Sequence, residues 1–280
     1  MRGSRSIFIV LIAVLFAGCR AHGSLSDRSV ARPVANQHLM PTIETRDPVL
    51  VAALIKLATR PDAVQHRRIA ERYRELGIID SAFDHFTSAS QMDSTDAASY
   101  DALARIWRDW GFPQLGVSDA LRATQAAPKW PIAYNTLGTL YAAMGLADRA
   151  RAAYVSALSI NAAADYAWNN LCYISFLQNE QTRAVAECTA ALRVNPLLTA
   201  ARNNLALAHA AAGRIEEGIE EFRAAGDKAA VLYNVGILHL ARRDYASAAK
   251  SFEAAQRERP AWPIARERLR QARAAGAAGR

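Results

Sequence analysis

The sequence is poor in the residues on which most alternatives to a helical protein depend. Glycine and proline are sparse, at 14 and 10 of 280 residues. No segment alternates apolar and polar residues with period two, so a sheet architecture has no support. Three cysteines are too few for a disulfide framework, and no Cys-x-x-Cys or Cys/His cluster has the spacing of a zinc site. The apolar run from Ile7 to Ala17 is too short to cross a bilayer, which takes roughly 20 residues. Also missing are a phosphate-binding loop, a Gly-x-Ser-x-Gly elbow, a His-Glu-x-x-His helix and a paired-carboxylate site. The chain therefore reads as no enzyme, with no catalytic residue, cofactor, metal or small-molecule substrate.

What is present is abundant alanine and arginine, with a net charge of +8. Basic residues stand among acidic ones and do not form an aromatic-laced stripe, which argues against nucleic acid as the partner. Residues 1–18 read as a secretory signal, with Arg2 and Arg5 before the apolar run. The run ends in Leu15-Phe16-Ala17-Gly18-Cys19, which resembles a bacterial lipobox and departs from its commonest form at Phe16. An ordinary signal followed by an incidental cysteine is the alternative. The resemblance implies that Cys19 carries the acyl chains of a lipoprotein, palmitate among them. Several chains on one residue anchor firmly, since each buried methylene contributes ~0.8 kcal/mol. Arg20 follows, with no Asp of the kind that marks inner-membrane retention, so the expected location is the periplasmic face of the outer membrane. Residues 19–46 hold the lipidated cysteine and a polar, Pro- and Arg-bearing stretch with no apolar face, read as a disordered tether.

Beyond residue 46 the chain repeats itself at an offset of 34, and a period of that size signals stacked structural units. Residues 131–164 place Tyr134, Leu137, Gly138, Tyr141, Gly145, Ala150, Tyr154 and Ala157 at set spacings. Residues 165–198 repeat the register with Trp168, Leu171, Cys172, Asn179, Ala184, Cys188 and Ala191. Residues 97–130 supply Tyr100, Leu103, Ala104, Trp107 and Gly111, and residues 63–96 supply Ile69, Ala70, Tyr73, Gly77, Ala82, Phe86 and Ala89. Residues 199–228 carry Leu205, Ala206, Gly213 and Phe222 but are four residues short, and residues 229–262 return with Val235, Gly236, Ala248, Phe252 and Ala255.

This pattern resembles the tetratricopeptide repeat, in which each unit is a hairpin of two helices. The spacing agrees on its own terms: two apolar stripes at i, i+3, i+4 and i+7 flank a Gly or Asn turn. One hairpin leaves its outer stripe wet, so neighbours must stack. The expected fold is all-α, a right-handed α-solenoid of about six hairpins with N- and C-terminal capping helices. The first cap is residues 47–62, opened by Asp47-Pro48, and the last is residues 263–280, with Ile264 and Leu269 inward and several arginines outward.

Trp107, Trp168, Tyr134, Tyr154 and Phe222 occupy structural positions of the repeat and are read as packing. His209 and His239 share one position near the ends of two first helices and are read the same way. Cys172 and Cys188 lie in the two helices of one hairpin, nearly equidistant from the turn near Asn179. They face each other as a disulfide, if the Cα atoms lie within ~7 Å, or as two buried thiols.

The resemblance further implies that the first helix of each unit lines a groove. Asn135, Thr139, Tyr166, Asn169, Tyr173, Phe176, Asn203, Leu207, Tyr233, Ile237 and Leu240 project to it. Asparagine recurs at one position in Asn135, Asn169 and Asn203, with Asn170, Asn204 and Asn234 one residue later. This is either a ladder for the backbone of an extended peptide, since an amide side chain both donates and accepts, or simply a common residue at that position. In the first two units the groove is charged, through Arg67, Glu71, Arg74, Glu75, Asp101, Arg105, Arg108 and Asp109, and reads as a solvated face. The Lys/Asn/Arg clamp with which some relatives hold a C-terminal carboxylate is not reproduced. The function implied is a protein–protein interaction scaffold anchored by lipid. Asn203-Asn204-Leu205-Ala206-Leu207 and Leu232-Tyr233-Asn234-Val235-Gly236 resemble lipoproteins that assist pilus assembly or secretion. The alternative is an adapter for murein enzymes or outer-membrane protein assembly.

Overall fold

The computed structural model describes residues 46–226 and 228–278. The signal segment, Cys19 and the tether up to residue 45 lie outside the described residues. Among those described there are fourteen helices and no strand, so the fold is all-α and built of repeated hairpins. The helices are α1 (Pro48–Thr59), α2 (Ala63–Glu75), α3 (Ile79–Met92), α4 (Ala97–Asp109), α5 (Pro113–Ala126), α6 (Pro131–Ala143) and α7 (Ala147–Ile160). They continue with α8 (Asp165–Leu177), α9 (Gln181–Val194), α10 (Thr199–Ala211), α11 (Ile215–Ala224), α12 (Lys228–Ala241), α13 (Tyr245–Glu258) and α14 (Pro263–Ala278).

The sequence starts and stops these helices by recognisable means. Asp47, Asp62, Asp96 and Asp244 accept from the backbone N–H three residues on, satisfying a first-turn donor that has no helical partner. Proline opens α1, α5 and α6, where its missing N–H costs nothing. Between the two helices of each hairpin one residue adopts positive φ: Gly77, Gly111, Gly145, Asn179, Gly213 and Arg243. The left-handed turn returns a late amide to the ending helix, as in Ile78 N–H donating to Tyr73 O at 2.8 Å and Asp244 N–H donating to His239 O at 2.9 Å. The four residues missing from the fifth unit are taken from its second helix, since α11 has 10 residues where α9 and α13 have 14.

The helices fall into two compact units, one reaching to Ile174 and one beginning at Ser175. In the first, Leu50 of α1 joins Ile69, Tyr73, Phe83, Phe86, Leu103 and Ile106 in one core, flanked by Trp107 and Trp110. Trp107 meets the Phe83 ring edge-on at 5.0 Å. A second core takes Ala104, Ala120, Leu137, Leu140 and Ala153, and a third takes Ala150, Tyr154, Leu171 and Ile174. Each draws on more than one hairpin, so stability is shared between neighbours. Each fully buried Leu or Phe contributes roughly 1.5–3 kcal/mol.

In the second unit Ala206, Leu207, Ile219, Phe222, Val235 and Leu238 form one core. Tyr233, Ile237, Ala248, Phe252, Ala265, Leu269 and Ala272 form another. The small positions of the repeat have a direct geometric cause. A Cβ on Gly236 would lie 2.7 Å from the Phe252 ring, and a Cβ on Gly218 would lie 2.7 Å from the Ala206 carbonyl oxygen. In the first unit Gly138 and the Tyr154 ring repeat the arrangement of Gly236 and Phe252.

Candidate protein-binding surface

In the first unit the projected groove residues are largely bound to one another. Arg67 on α2 donates to Asp96 Oδ1 at 2.7 Å, and Asp96 caps α4 and accepts from the Ser99 hydroxyl. Asp101 on α4 holds the same repeat position as Asn135 and Asn169, yet it is fully buried. The Arg105 guanidinium comes within 2.8 Å of its Oδ2, outside hydrogen-bond geometry, so the pair is an ion contact. Burial pushes the Asp101 carboxyl above the ordinary carboxylate range, with Arg105, Thr136 and Arg108 opposing it. Sequence reading placed Asp101 on a solvated charged face, and this burial corrects that placement. Arg105 and the next hairpin's Thr136 both act on the buried carboxylate.

Asn135 on α6 accepts from the Asn170 side-chain amide of α8 at 2.8 Å. Thr139 donates to the Thr136 carbonyl at 2.8 Å and accepts from Arg108 Nη1 at 3.0 Å. Tyr166 packs against Ala157, Ala164 and Ala167, and burial raises its hydroxyl pKa. Asn169 and Tyr173 are half-buried on α8.

In the second unit the projected residues divide into two groups. Phe176 and Leu240 are partly buried against the two cores, and Asn203 is half-buried on α10. Leu207, Tyr233 and Ile237 are buried members of those cores, each less than 10 % exposed. These three do not line a groove. The last helix, α14, lays Leu269 and Ala272 against Tyr233 and Ile237, and the Tyr233 ring stacks within 5.1 Å of Trp262 and 5.5 Å of Phe252. Projection from the repeat alone does not include this covering helix.

The cysteines take up a repeat position of their own. Cys172 stands where Gly138 and Gly236 stand, and Cys188 where Tyr154 and Phe252 stand. In the other hairpins those two positions touch, as the Gly236–Phe252 approach shows. Both cysteines are fully buried and disulfide-bonded.

His209 and His239 are half-buried. Burial lowers the His209 pKa, and His239 Nδ1 lies 3.4 Å from Asp244 Oδ2. Three features escaped the sequence reading: the Asn135–Asn170 bond, the burial of Asp101, and a His66–His85 contact between α2 and α3. Only the first had a visible signal, the paired asparagines at successive positions.

Compared with known proteins, residues 132–163 match the family model of the tetratricopeptide repeat. No curated protein matches the chain. Among solved structures it is similar to PilW, described as a widely conserved type IV pilus biogenesis factor, at 17% identity and a TM-score of 0.66 over 75% of this chain and 97% of that one. It is similar to pilF of Pseudomonas aeruginosa at 16% identity and a TM-score of 0.61, over 76% of this chain and 96% of that one. It is also similar to a chain of the APC/C hetero-tetramer Cut9–Hcn1 at 18% identity and a TM-score of 0.66, covering 84% of this chain but only 48% of the other. The chain thus spans about half the length of that last relative. At these identities the likeness is one of fold: an all-α repeat fold in which residues 132–163 match a tetratricopeptide repeat.

Proposed function

We propose that this chain is a non-catalytic interaction scaffold of the bacterial envelope, held at the outer membrane by lipid on Cys19, whose first helices take up an extended segment of a partner protein. The observation that carries the reading is the fold, which matches PilW over 97% of that chain. Pilus assembly or secretion is the pathway proposed on that likeness.

The chemistry of the first unit supports peptide capture. The Asn135–Asn170 bond uses one acceptor and one donor. The Asn135 amide donors and the Asn170 oxygen retain capacity for a ligand backbone. Tyr166 and Tyr173, half-buried on α8, offer apolar faces to alternate side chains of an extended segment. Tyr and similar residues dominate such contacts because they bury large area at low entropic cost.

The test is crosslinking in cells followed by affinity capture from envelopes, with wild type beside Tyr166→Ala and Asn135→Ala. Pilin or secretin subunits are expected with wild type and depleted with the variants. Recovery of murein hydrolases or barrel-assembly components in their place would move the scaffold to the second pathway. The anchor is tested separately by radiolabelled palmitate, which is expected to mark wild type and not Cys19→Ala. An unlabelled wild-type chain would remove the membrane attachment while leaving the scaffold reading intact.

A further inference from the structure

The first hairpin brings two histidines together from its facing helices. His66 on α2 and His85 on α3 bring their Nδ1 atoms to 3.0 Å, with ring centroids 5.1 Å apart and planes inclined at 39°. Both rings are half-buried, and the Tyr73 ring backs His85 at 5.6 Å. With no metal present, one Nδ1 must carry a proton and the other must accept it. His66 stands at the aromatic position of the repeat that Tyr100, Tyr134 and Trp168 fill in the next three units, while His85 holds none of its small or large positions. Ala70, Ala82 and Phe86 make the close helix contact beside them.

Two neutral imidazole nitrogens presented from facing helices are also half of a transition-metal site. At metal–nitrogen distances of ~2.0–2.1 Å, ligands at right angles stand about 2.9 Å apart and tetrahedral ligands about 3.4 Å apart. The observed 3.0 Å lies at the right-angle end, the spacing of adjacent positions in tetragonal copper(II) or nickel(II). We infer that His66 and His85 form a two-histidine site for a divalent transition-metal ion of this kind. The metal takes the place of the proton between the two Nδ1 atoms. The ring that carried it passes that proton to solvent and takes one up at Nε2, so both ligands remain neutral imidazoles and no net proton is released. Among the described residues no group of three or more His, Cys, Asp or Glu gathers at a metal position. Water completes the coordination, so the ion is exchangeable. It clips the two helices of the first hairpin together, unlike a closed structural site on which folding depends.

The experiment uses the full chain stripped of metal, with copper(II), nickel(II) and magnesium added in turn. Copper(II) and nickel(II) are expected to raise Tm by several degrees and magnesium to leave it unchanged. The copper(II) EPR spectrum of wild type is expected to show two equivalent nitrogens. His66→Gln and His85→Gln should each lose the shift and the two-nitrogen signal, while His209→Gln keeps both. A wild-type chain with no Tm shift, or with a shift that survives both substitutions, overturns the site. The nitrogen count in wild type decides the matter even if a variant folds poorly: fewer than two nitrogens also overturns it.

Discussion

Asn170 donates its side-chain amide to the Asn135 oxygen at 2.8 Å across 35 residues of sequence, linking the first helices of two successive hairpins. The asparagines are therefore repeat-to-repeat fasteners as well as groove residues. A partly buried hydrogen bond of this type contributes about 1 kcal/mol. Asn135→Ala and Asn170→Ala are each expected to lower stability by about that much, and the double variant by less than the sum. Urea titrations of the four chains measure the coupling, and strict additivity would show that the bond contributes nothing.

The turn at Arg243 invites the opposite change. Arg243 holds φ +60° at the position that Gly77, Gly111, Gly145 and Gly213 fill in other hairpins. A non-glycine residue in this region costs of order 1 kcal/mol or more. Arg243→Gly is expected to raise stability by about 1 kcal/mol and Gly145→Ala to lower it by a similar amount. Loss of the exposed Arg243 charge has no bearing on this, so Arg243→Asn is expected to recover part of the gain, which thermal melts will show.

Two carboxylates respond to pH with opposite signs. Asp47 is gripped by the Arg72 guanidinium and by the Leu50 N–H, which hold its carboxyl below the ordinary range. Its contribution is complete above about pH 4, the unfolded value, and is lost as pH falls through the lowered folded value. Burial raises the Asp101 carboxyl, so its ionisation costs stability above about pH 4 and the cost disappears as pH falls. Asp101→Asn is expected to stabilise at pH 7 and to leave stability unchanged near pH 3. Asp47→Asn is expected to destabilise α1 at pH 7, with an effect that shrinks as pH falls below about 4. Amide exchange of α1 and global melts against pH separate the two.

For the cysteines the expected outcome is a single linked peptide. Cys172 and Cys188 hold the positions at which Gly236 and Phe252 touch, so non-reducing peptide mapping should join them. Removing the bridge with Cys172→Ala and Cys188→Ala should cost less than the ~3 kcal/mol that loop entropy assigns to a closed loop of about 15 residues. Helical structure already restricts the unfolded hairpin. Two free thiols in the map would refute the pairing.

The all-α repeat fold was legible because Gly138, Ala150 and Tyr154 recur at fixed spacing, and two helices cannot approach unless those positions alternate in size. The groove was legible only in part. Leu207, Tyr233 and Ile237 carry the periodicity of lining residues, but whether they stay open depends on neighbouring helices packing over them. Asp101 was misplaced for a related reason, since its period marks a lining position and its full burial depends on the surrounding packing. The His66–His85 contact left no trace because it occurs once, and a period reveals only what is repeated.

Asp47 has a double attachment with a mechanical consequence. It begins α1 by capping Leu50, and it is held by Arg72 of the next helix. Tension arriving from the preceding chain therefore divides at Asp47 between the first turn of α1 and a guanidinium rooted in α2. Load is shared with the second helix from the outset, and the first turn does not have to resist peeling unaided.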